Sequence, residues 1–389
     1  MFSRRTGWSR VPNRLAELTA RAEGLLDLTE SNPTRAGFAA PEFIERLGDA
    51  RGAAYRPDPR GVLEAREAVA AHYRARGFAI SPDAILLTAS TSEAYAWLFK
   101  LLCDPGDTVL VPTPAYPLLP FLADLEGVTL AGYPLVREER HRVDLAALEA
   151  RLEETRARAV TVVHPGNPTG HFTRRDEAVA LGRLASRHGA ALLVDEVFAE
   201  HAHGDLEASR LPSFAGGTDA LTFVMSGLSK VALAPQLKLG WIVVAGADEV
   251  TRREAVERLE LVADSYLSVA TPVQLALPEI LAAVSERLAK VRARLRRNLD
   301  VLDAAIRAVG DDGPLRRDPV DGGWYATIQL PRTRTDDEWL EATVAAGVLV
   351  HPGYFFDAPT RGLVVVSLLT EEAVFAEGIA RGVRLWSAG

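Results

Sequence analysis

Short apolar runs recur through the first two thirds of the chain, each bounded by polar or turn-forming residues. They lie at residues 85–88, 108–111, 159–163, 191–194, 221–225 and 240–244. Because they are continuous rather than alternating, these runs are typical of strands that helices cover on both faces. Helical spacing of apolar residues over 62–76, 93–102 and 177–188 separates several of them. The pattern predicts an α/β fold with a mainly parallel sheet.

The character of the chain changes after about residue 280. A predicted helix over 285–309 leads into a region with the pattern of a smaller α+β domain. The strands predicted there lie at 323–330, 348–350 and 363–368. We expect a large domain over 41–275, with a mainly parallel seven-stranded sheet sandwiched by helices. We expect the small domain over 276–389, with residues 1–40 packed against it, so that both chain termini build it.

Composition narrows the class of protein. The chain has 389 residues, of which 48% are hydrophobic, and a net charge of -8. A chain of this size buries a large core and usually divides into two domains. The acidic balance argues against nucleic-acid and anionic-membrane partners, and no apolar run approaches the length of a membrane span. The single cysteine, Cys103, excludes an intrachain disulfide framework, so we expect a cytoplasmic protein.

Two histidines, His201 and His203, stand close enough in the sequence to suggest a metal site. Such a site needs at least three matched ligands, and no third accompanies them. We therefore interpret both as structural or exposed residues and expect no metal.

Polar residues follow three of the predicted strands and carry the candidate chemistry. Asn167, Asp195 and Lys230 each come at or just after the end of such a strand. A buried lysine beside hydroxyl residues can form a Schiff base with a carbonyl cofactor. Pyridoxal phosphate also needs a carboxylate beside its pyridine nitrogen, a role that suits Asp195. The amide of Asn167 can contact the 3'-oxygen of the same ring. The three residues together predict a site for this cofactor, although a single lysine is more often a surface charge.

The phosphate of such a cofactor needs hydrogen-bond donors. Ser90, Thr91 and Ser92 form a turn between a predicted strand and a predicted helix. Backbone amides and hydroxyls at a helix N-terminus bind anions, and capping of the helix by these residues is compatible with that role. Tyr116 follows the next predicted strand and is a candidate to stack against the cofactor ring.

From about Asp27 to its C-terminus, the chain resembles fold-type I pyridoxal-phosphate enzymes of the class I/II aminotransferase family, the aspartate aminotransferase-like enzymes. The motifs that carry the resemblance are Tyr55 with Gly61, Ser90-Thr91-Ser92, Pro114-Ala115-Tyr116, Asn167-Pro168-Thr169-Gly170, Asp195-Glu196, Ser229-Lys230 and Gln236-Leu237-Lys238-Leu239-Gly240. The resemblance implies that Ser226, Ser229 and Lys238 help to hold the cofactor. It also implies that Tyr55 reaches the phosphate in a neighbouring subunit, and hence a homodimer with two shared active sites.

Three departures from the family pattern surround the expected cofactor. Phe198 stands where the family usually has a tyrosine, so one hydrogen bond to the 3'-oxygen is lost and we expect the Schiff base to stay protonated to higher pH. Lys238 stands where an arginine usually binds the phosphate, which keeps the charge but loses the bidentate fork. Gly227 stands where a serine is often found.

A fourth departure concerns the substrate. The family usually carries an arginine near the C-terminus that grips the substrate α-carboxylate, and Val365 occupies that position here. Loss of a bidentate arginine demands another anchor or another kind of substrate. We expect the loop of Asn32 and Arg35 to bind the substrate, with Arg35 as the anchor. The other candidates are Arg361, Lys100 and His351.

The sequence thus predicts a pyridoxal 5'-phosphate-dependent aminotransferase. It would move an amino group from an L-amino acid to a 2-oxo acid by a ping-pong mechanism through pyridoxamine phosphate. Because one fold hosts several reactions, a lyase, a decarboxylase or a cyclase on the same fold is the alternative, favoured by Val365 and Phe198. A non-catalytic sensor that binds the cofactor is a remote alternative. It would need a DNA-binding domain, and only some 30 residues precede the Asn32 loop.

Overall fold

The computed structural model describes residues 2–21, 24–205, 207–310 and 312–388. The strands are β1 (Leu26–Asp27), β2 (Ile85–Thr88), β3 (Thr108–Thr113), β4 (Thr129–Arg137), β5 (His141–Val143), β6 (Ala159–Val163), β7 (Ala191–Asp195), β8 (Thr222–Gly227), β9 (Gly240–Ala245), β10 (Arg316–Arg317), β11 (Tyr325–Gln329), β12 (Val348–Leu349), β13 (His351–Pro352) and β14 (Leu363–Ser367). The helices are α1 (Arg14–Arg21), α2 (Pro41–Glu45), α3 (Leu63–Ala75), α4 (Thr91–Leu102), α5 (Leu119–Glu126), α6 (Leu145–Thr155), α7 (Arg175–Arg187), α8 (Leu228–Val231), α9 (Glu249–Asp264), α10 (Thr271–Ala282), α11 (Val284–Ala308), α12 (Asp336–Ala345) and α13 (Glu372–Ser387). Among these helices, none combines the length and the apolar content that crossing a membrane requires.

The main sheet has the strand order β2-β9-β8-β7-β6-β3-β4-β5. Its central strands from β8 to β4 run parallel, whereas β9 is antiparallel to both β2 and β8. The predicted mainly parallel sheet is confirmed, and the six apolar runs correspond to β2, β3, β6, β7, β8 and β9. The sheet has eight strands rather than seven, because β4 turns back into the short β5, with Arg137 paired to His141.

Both faces of the main sheet are covered, as the continuous apolar runs predict. In β7, Leu192 and Val194 belong to one hydrophobic cluster, while Ala191 and Leu193 belong to a second cluster on the opposite face. Successive side chains of a strand point to opposite faces, so a strand between two helical layers must be apolar at every position. The polar residues that end such strands are therefore the exceptions that mark a site.

A second, antiparallel sheet of order β10-β11-β14-β13 is formed after α11. The N-terminal segment joins this part of the molecule: Leu26 of β1 pairs in parallel with Val348 of β12, and Leu15 packs with Leu340 and Leu349. We propose the domain division given above, with one adjustment. A boundary at residues 275/276 would divide α10, so we place it at the junction of α10 and α11.

Candidate active site

Three neighbouring parallel strands end side by side in the main sheet. Val163 of β6 pairs with Asp195 of β7, and Asp195 pairs with Met225 of β8. The residues that follow these strands therefore meet at one edge of the sheet, which is where ligands of open α/β sheets bind. Asn167 and Lys230 lie just beyond the ends of β6 and β8.

Lys230 lies in the short helix α8 with its amine among aromatic rings. Its Nζ is 4.7 Å from the centre of the Trp324 ring and 5.8 Å from that of Phe198. Burial lowers the pKa of Lys230 to about 8, against the opposing attraction of Asp195. A lysine in this environment loses its proton near neutral pH and becomes a nucleophile and a base.

Asp195 is the last residue of β7, and its carboxylate is held at both oxygens. The Val197 amide donates to Oδ1 at 3.1 Å, and the Tyr95 hydroxyl donates to Oδ2 at 3.4 Å. Burial raises the pKa of Asp195 to about 6, although both hydrogen bonds and Lys230 act in the opposite direction. A buried carboxylate of this kind is a good partner for a cationic ligand group, which offsets the cost of its desolvation.

The Asn167 side chain is half-buried, and its Oδ1 atom is buried with no hydrogen-bond partner among the described residues. Buried polar atoms are usually paired, so this amide is available to a ligand. Two further residues predicted to hold the cofactor are close to Lys230 in the sequence. Ser226 is buried in β8, and Ser229 is half-buried in α8.

The Ser90-Thr91-Ser92 turn begins α4. Ser90 caps this helix by accepting a hydrogen bond from the Glu93 amide at 3.2 Å, and the Glu93 carboxylate accepts one from the Ala89 amide at 2.6 Å. Thr91 and Ser92 are half-buried residues of the first turn. The capping role and an anion site at the helix N-terminus coexist here, because the cap uses the oxygens of Ser90 and Glu93 and leaves donors beside them.

The segment of Lys238 runs close to this helix N-terminus. Lys238 is exposed and has a left-handed backbone, with φ of 51°. Two residues on, a Cβ atom built on Gly240 would lie 3.3 Å from the Ser90 carbonyl carbon. The same close approach explains Gly227, since a Cβ built there would lie 2.9 Å from the Gly240 Cα. A serine at position 227 would require β8 and β9 to move apart.

Tyr116 follows β3 on the same side of the site as Asp195. Burial raises its pKa, and the negative charge of Asp195 raises it further. The ring is nevertheless 41% exposed. A half-open aromatic ring near the carboxylate is a suitable surface for a planar ligand to stack on.

The loop of Asn32 and Arg35 lies at the end of β14. The Ser367 hydroxyl donates to the Glu30 carbonyl oxygen at 2.6 Å, which fixes the loop there. Asn32 Oδ1 accepts from the Thr34 amide at 3.0 Å, and Arg35 pairs with the Glu30 carboxylate at 3.1 Å. Arg35 is thus exposed and already partnered, in an ion pair of the kind that contributes little to stability.

Val365 is fully buried in the middle of β14, between Thr327 and His351. The His351 ring stacks on Phe355, with 4.5 Å between ring centres, and burial lowers its pKa to about 4. His351 is therefore neutral at physiological pH and is a poor anchor for a carboxylate.

The remaining two candidate anchors lie on the surface. Lys100 is paired with Glu126 at 2.5 Å, and Arg361 is exposed. Tyr55 is also on the surface and is 77% exposed.

Two residues of the site, Tyr95 and Trp324, were not identified from the sequence. Tyr95 lies one helical turn after Thr91 in α4. This spacing places both residues on the same face of the helix, and it is the signal that could have identified Tyr95. Trp324 follows two glycines and carries no local signal for its contact with Lys230. His201 is fully buried, with its Nε2 atom 3.1 Å from the Lys230 carbonyl oxygen, in agreement with a structural role. His203 likewise contacts the Gly323 carbonyl oxygen, at 2.8 Å.

Comparison with known proteins gives a family-level match over most of the chain. A family model described as aminotransferase class I and II matches residues 23–375. An alanine aminotransferase of Mycobacterium tuberculosis is 32% identical over 271 residues, which cover 68% of this chain and 62% of that protein. The chain therefore matches about three fifths of the length of the mycobacterial relative. Human tyrosine aminotransferase is 26% identical, over 98% of this chain and 88% of that protein.

Solved structures share the fold along nearly the whole chain. An aspartate aminotransferase of Thermus thermophilus aligns with a TM-score of 0.84 and 25% identity, covering 99% of both chains. An alanine aminotransferase of Pyrococcus furiosus aligns with a TM-score of 0.84 and 23% identity, covering 97% of this chain and 95% of that one. The second likeness concerns the fold alone.

Proposed function

Because the chain belongs to the aminotransferase class I and II family, we propose that it is a transaminase that moves an amino group from an L-amino acid to a 2-oxo acid in a ping-pong reaction. Enzymes of this family depend on pyridoxal 5'-phosphate, and this is the cofactor of the chain. The observation that carries the proposal is the placement of Lys230, with a pKa of about 8, opposite the buried carboxylate of Asp195 at one edge of the sheet.

The residues around Lys230 fit this cofactor. Two polar atoms buried there, Oδ1 of Asn167 and Nε1 of Trp324, have no hydrogen-bond partner among the described residues. An asparagine amide offers both an acceptor and donors, whereas an indole offers a donor. Asp195 would hold the ring nitrogen, the amide nitrogen of Asn167 would donate to the 3'-oxygen, and Tyr116 would stack on the ring.

The phosphate end of the cofactor would lie at the start of α4. Thr91 and Ser92 offer the hydroxyls and amides of the first helical turn, with Ser90 beside them. Lys238 would add a positive charge, and Ser226 and Ser229 would add hydroxyl groups. Only lysine is present in place of the usual arginine, so the phosphate would be held by a point charge rather than by a bidentate fork.

The chain's own residues divide the work of proton transfer. The cofactor, when bound, supplies an electron sink for the electrons that removal of the substrate α-proton leaves behind. Asp195, as an anion, keeps a proton on the ring nitrogen and so maintains that sink. Lys230 accepts the α-proton at its Nζ and delivers it again. Its lowered pKa keeps a useful fraction of the amine neutral at physiological pH.

We propose that Arg35 binds the substrate carboxylate, with Asn32 in the same loop. Val365 has no charge and is buried, so it cannot fill that role. The Nε atom of Arg35 lies 3.1 Å from a Glu30 carboxylate oxygen, and a guanidinium has further N–H donors that a second carboxylate could use. An amino acid with one carboxylate is the smallest substrate that satisfies this arrangement.

We also propose a homodimer in which Tyr55 of each subunit completes the partner's phosphate site. Tyr55 is 77% exposed in the single chain and heads a loop that ends at Gly61. That loop is fixed where the Leu87 amide donates to the Arg60 carbonyl oxygen at 2.9 Å. A Cβ built on Gly61 would lie 2.5 Å from the Leu87 side chain, so the glycine permits the approach of this loop to β2.

The experiment is a spectral titration of the purified protein with pyridoxal 5'-phosphate, then with L-amino acids, then with 2-oxo acids. Replacement of the visible band by that of the pyridoxamine form, and its return with an oxo acid, would support transamination and identify the donor. The Lys230→Ala variant is the control and should form no stable visible band. If the band forms but no donor converts it, while ammonia, carbon dioxide or a cyclised product appears, the lyase, decarboxylase or cyclase alternative takes over.

A further inference from the structure

A short segment before β11, residues 318–324, is bound along the edge of the large sheet; we call it the strap. The Asp321 amide donates to the Gly170 carbonyl oxygen at 2.9 Å, and the Gly323 amide donates to the His201 carbonyl oxygen at 2.9 Å. The strap therefore bridges two loops, one that begins at Asn167 and one that lies against α8.

The contact between the strap and the large sheet is closely packed. A Cβ built on Gly170 would lie 2.2 Å from the Val320 side chain, and one built on Gly322 would lie 2.6 Å from the Phe172 ring. Gly170 also has φ of 66°, which a side chain would strain. Only glycine at these two positions lets the backbones approach so closely.

Ion pairs hold the strap in place as well. The carboxylate of Asp321 meets Arg140 at 2.5 Å and Arg210 at 3.0 Å, and Asp318 pairs with Arg137. Both aspartates are buried. The arginines are more exposed than the aspartates, but loss of an arginine would leave a buried carboxylate unpaired, which is costly.

The strap ends at Trp324, whose position it determines. The Trp324 ring is fully buried, with its centre 4.7 Å from Lys230 Nζ. Its ring packs edge-on against Phe198 and His201, with 5.2 Å between ring centres in both cases. The indole Nε1 has no hydrogen-bond partner among the described residues. Such a fixed and unpaired donor beside a reactive amine is unusual in a well-packed interior.

We propose that the indole N–H of Trp324 donates a hydrogen bond to the 3'-oxygen of the bound cofactor, in place of the hydroxyl that Phe198 lacks. The inference rests on the proposed function, since it takes Lys230 as the residue that holds the cofactor. In the cofactor, the 3'-oxygen lies next to the carbon that the lysine amine would hold. A donor adjacent to both Lys230 and Phe198 is therefore suitably placed to reach this oxygen. An indole N–H is a donor only and does not ionise, so this hydrogen bond persists at every pH at which the protein folds.

The proposal makes a spectral prediction. A donor to the 3'-oxygen stabilises its anionic form and so lowers the pH at which the visible band of the bound cofactor changes. Trp324→Phe keeps an aromatic ring but removes the donor. In this variant, the pH midpoint at which the visible band changes should rise by about one unit, the size expected for one hydrogen bond to a charged group. Trp339→Phe is the matched control, since Trp339 is equally buried but donates to the Pro331 carbonyl oxygen at 3.2 Å.

A second variant tests whether Trp324 replaces the missing hydroxyl. Phe198→Tyr should restore a hydroxyl and lower the midpoint. In that background, Trp324→Phe should shift the midpoint by less than it does in the natural sequence, because both donors serve one oxygen. Equal shifts in the two backgrounds, or no shift in either, would overturn the proposal.

A test that needs no variant uses the indole N–H resonances of the natural protein labelled with ¹⁵N-tryptophan. The protein has six tryptophans. The resonance of one indole N–H should shift downfield when pyridoxal 5'-phosphate binds, and should not shift when a cofactor analogue without the 3'-oxygen binds. If no indole resonance distinguishes the two compounds, Trp324 is not the donor. Failure of the proposed function looks different: no visible band would form, or the band would persist in Lys230→Ala.

Discussion

The Tyr95 hydroxyl donates to Oδ2 of Asp195 across 3.4 Å, although the two residues are 100 positions apart in the sequence. Tyr95 belongs to α4, which begins at the proposed phosphate site, and Asp195 ends β7. The contact therefore ties the two ends of the cofactor site together: the helix that would hold the phosphate also orients the carboxylate that would hold the ring nitrogen.

Tyr95→Phe should raise the pKa of Asp195 further, because the hydrogen bond from Tyr95 favours the ionised carboxylate. Asp195 must be an anion to hold the ring nitrogen, so the acid limb of the kcat profile should move to higher pH, by about half to one unit for a long hydrogen bond. The measurement is kcat and KM against pH. A uniform loss of kcat with an unchanged acid limb would assign Tyr95 to packing alone.

Asp195→Asn should stabilise the apoprotein at neutral pH. The folded protein raises the pKa of Asp195 from 3.8 to about 6, so the folded state binds the proton more tightly than the unfolded state does. The carboxylate therefore destabilises the apoprotein above pH 6, and this cost disappears as the pH falls to about 4.

The corresponding gain in the free energy of unfolding for Asp195→Asn is about 1 to 3 kcal/mol at pH 7.5. Urea unfolding of both apoproteins at pH 7.5 and at pH 4.5 measures it. We expect the difference between the two proteins to be largest at the higher pH and to shrink to about a third of that value at the lower one. An apoprotein variant less stable than the natural one at pH 7.5 would contradict the expectation.

Gly227→Ser restores the residue often found in the family but should destabilise this protein by about 1 to 3 kcal/mol through overpacking. The added Cβ would lie 2.9 Å from the Gly240 Cα and 3.0 Å from the Leu239 carbonyl oxygen. Thermal unfolding tests this, with Gly48→Ala as the control because a Cβ there meets nothing within 4 Å. An unchanged Tm for Gly227→Ser would show that β8 and β9 can separate at low cost.

Arg35→Met should raise KM for the amino donor about tenfold or more, since a charged hydrogen-bonded pair with the substrate carboxylate is lost. Arg183→Met, which removes an exposed arginine of α7 with no proposed role in the site, is the control and should leave KM unchanged. Initial rates with the donor found by the spectral titration provide the test. Equal KM values for Arg35→Met and the natural enzyme would remove Arg35 as the anchor.

The strands of the main sheet were largely predictable, because strands buried on both faces must be apolar at every position. The residues that end them follow from the same rule, and the structure brings the ends of β6, β7 and β8 together as expected. The β4–β5 hairpin was not predicted. Tyr133 is the one fully buried residue of β4, so this strand lacks a continuous apolar run.

The contacts made by Tyr95 and Trp324 could not be predicted from the sequence, for a different reason. Each depends on the packing of elements far apart in the sequence, and neither residue type signals such a contact locally. Lys100 was a candidate anchor because of its charge alone, and its pairing with Glu126 is equally invisible in the sequence. Local patterns specify elements, whereas tertiary packing decides which side chains share a site.

The chemical behaviour of Lys230 depends on the position of the strap. The amine belongs to α8, which follows strand β8 of the large sheet, whereas the indole that shields it belongs to the segment that leads into β11. If the two parts of the chain separated, water would reach the amine and its proton affinity would return toward that of an ordinary lysine. Closure of the molecule would then itself lower the proton affinity of the Lys230 amine, so that the amine loses its proton and is kept from contact with water.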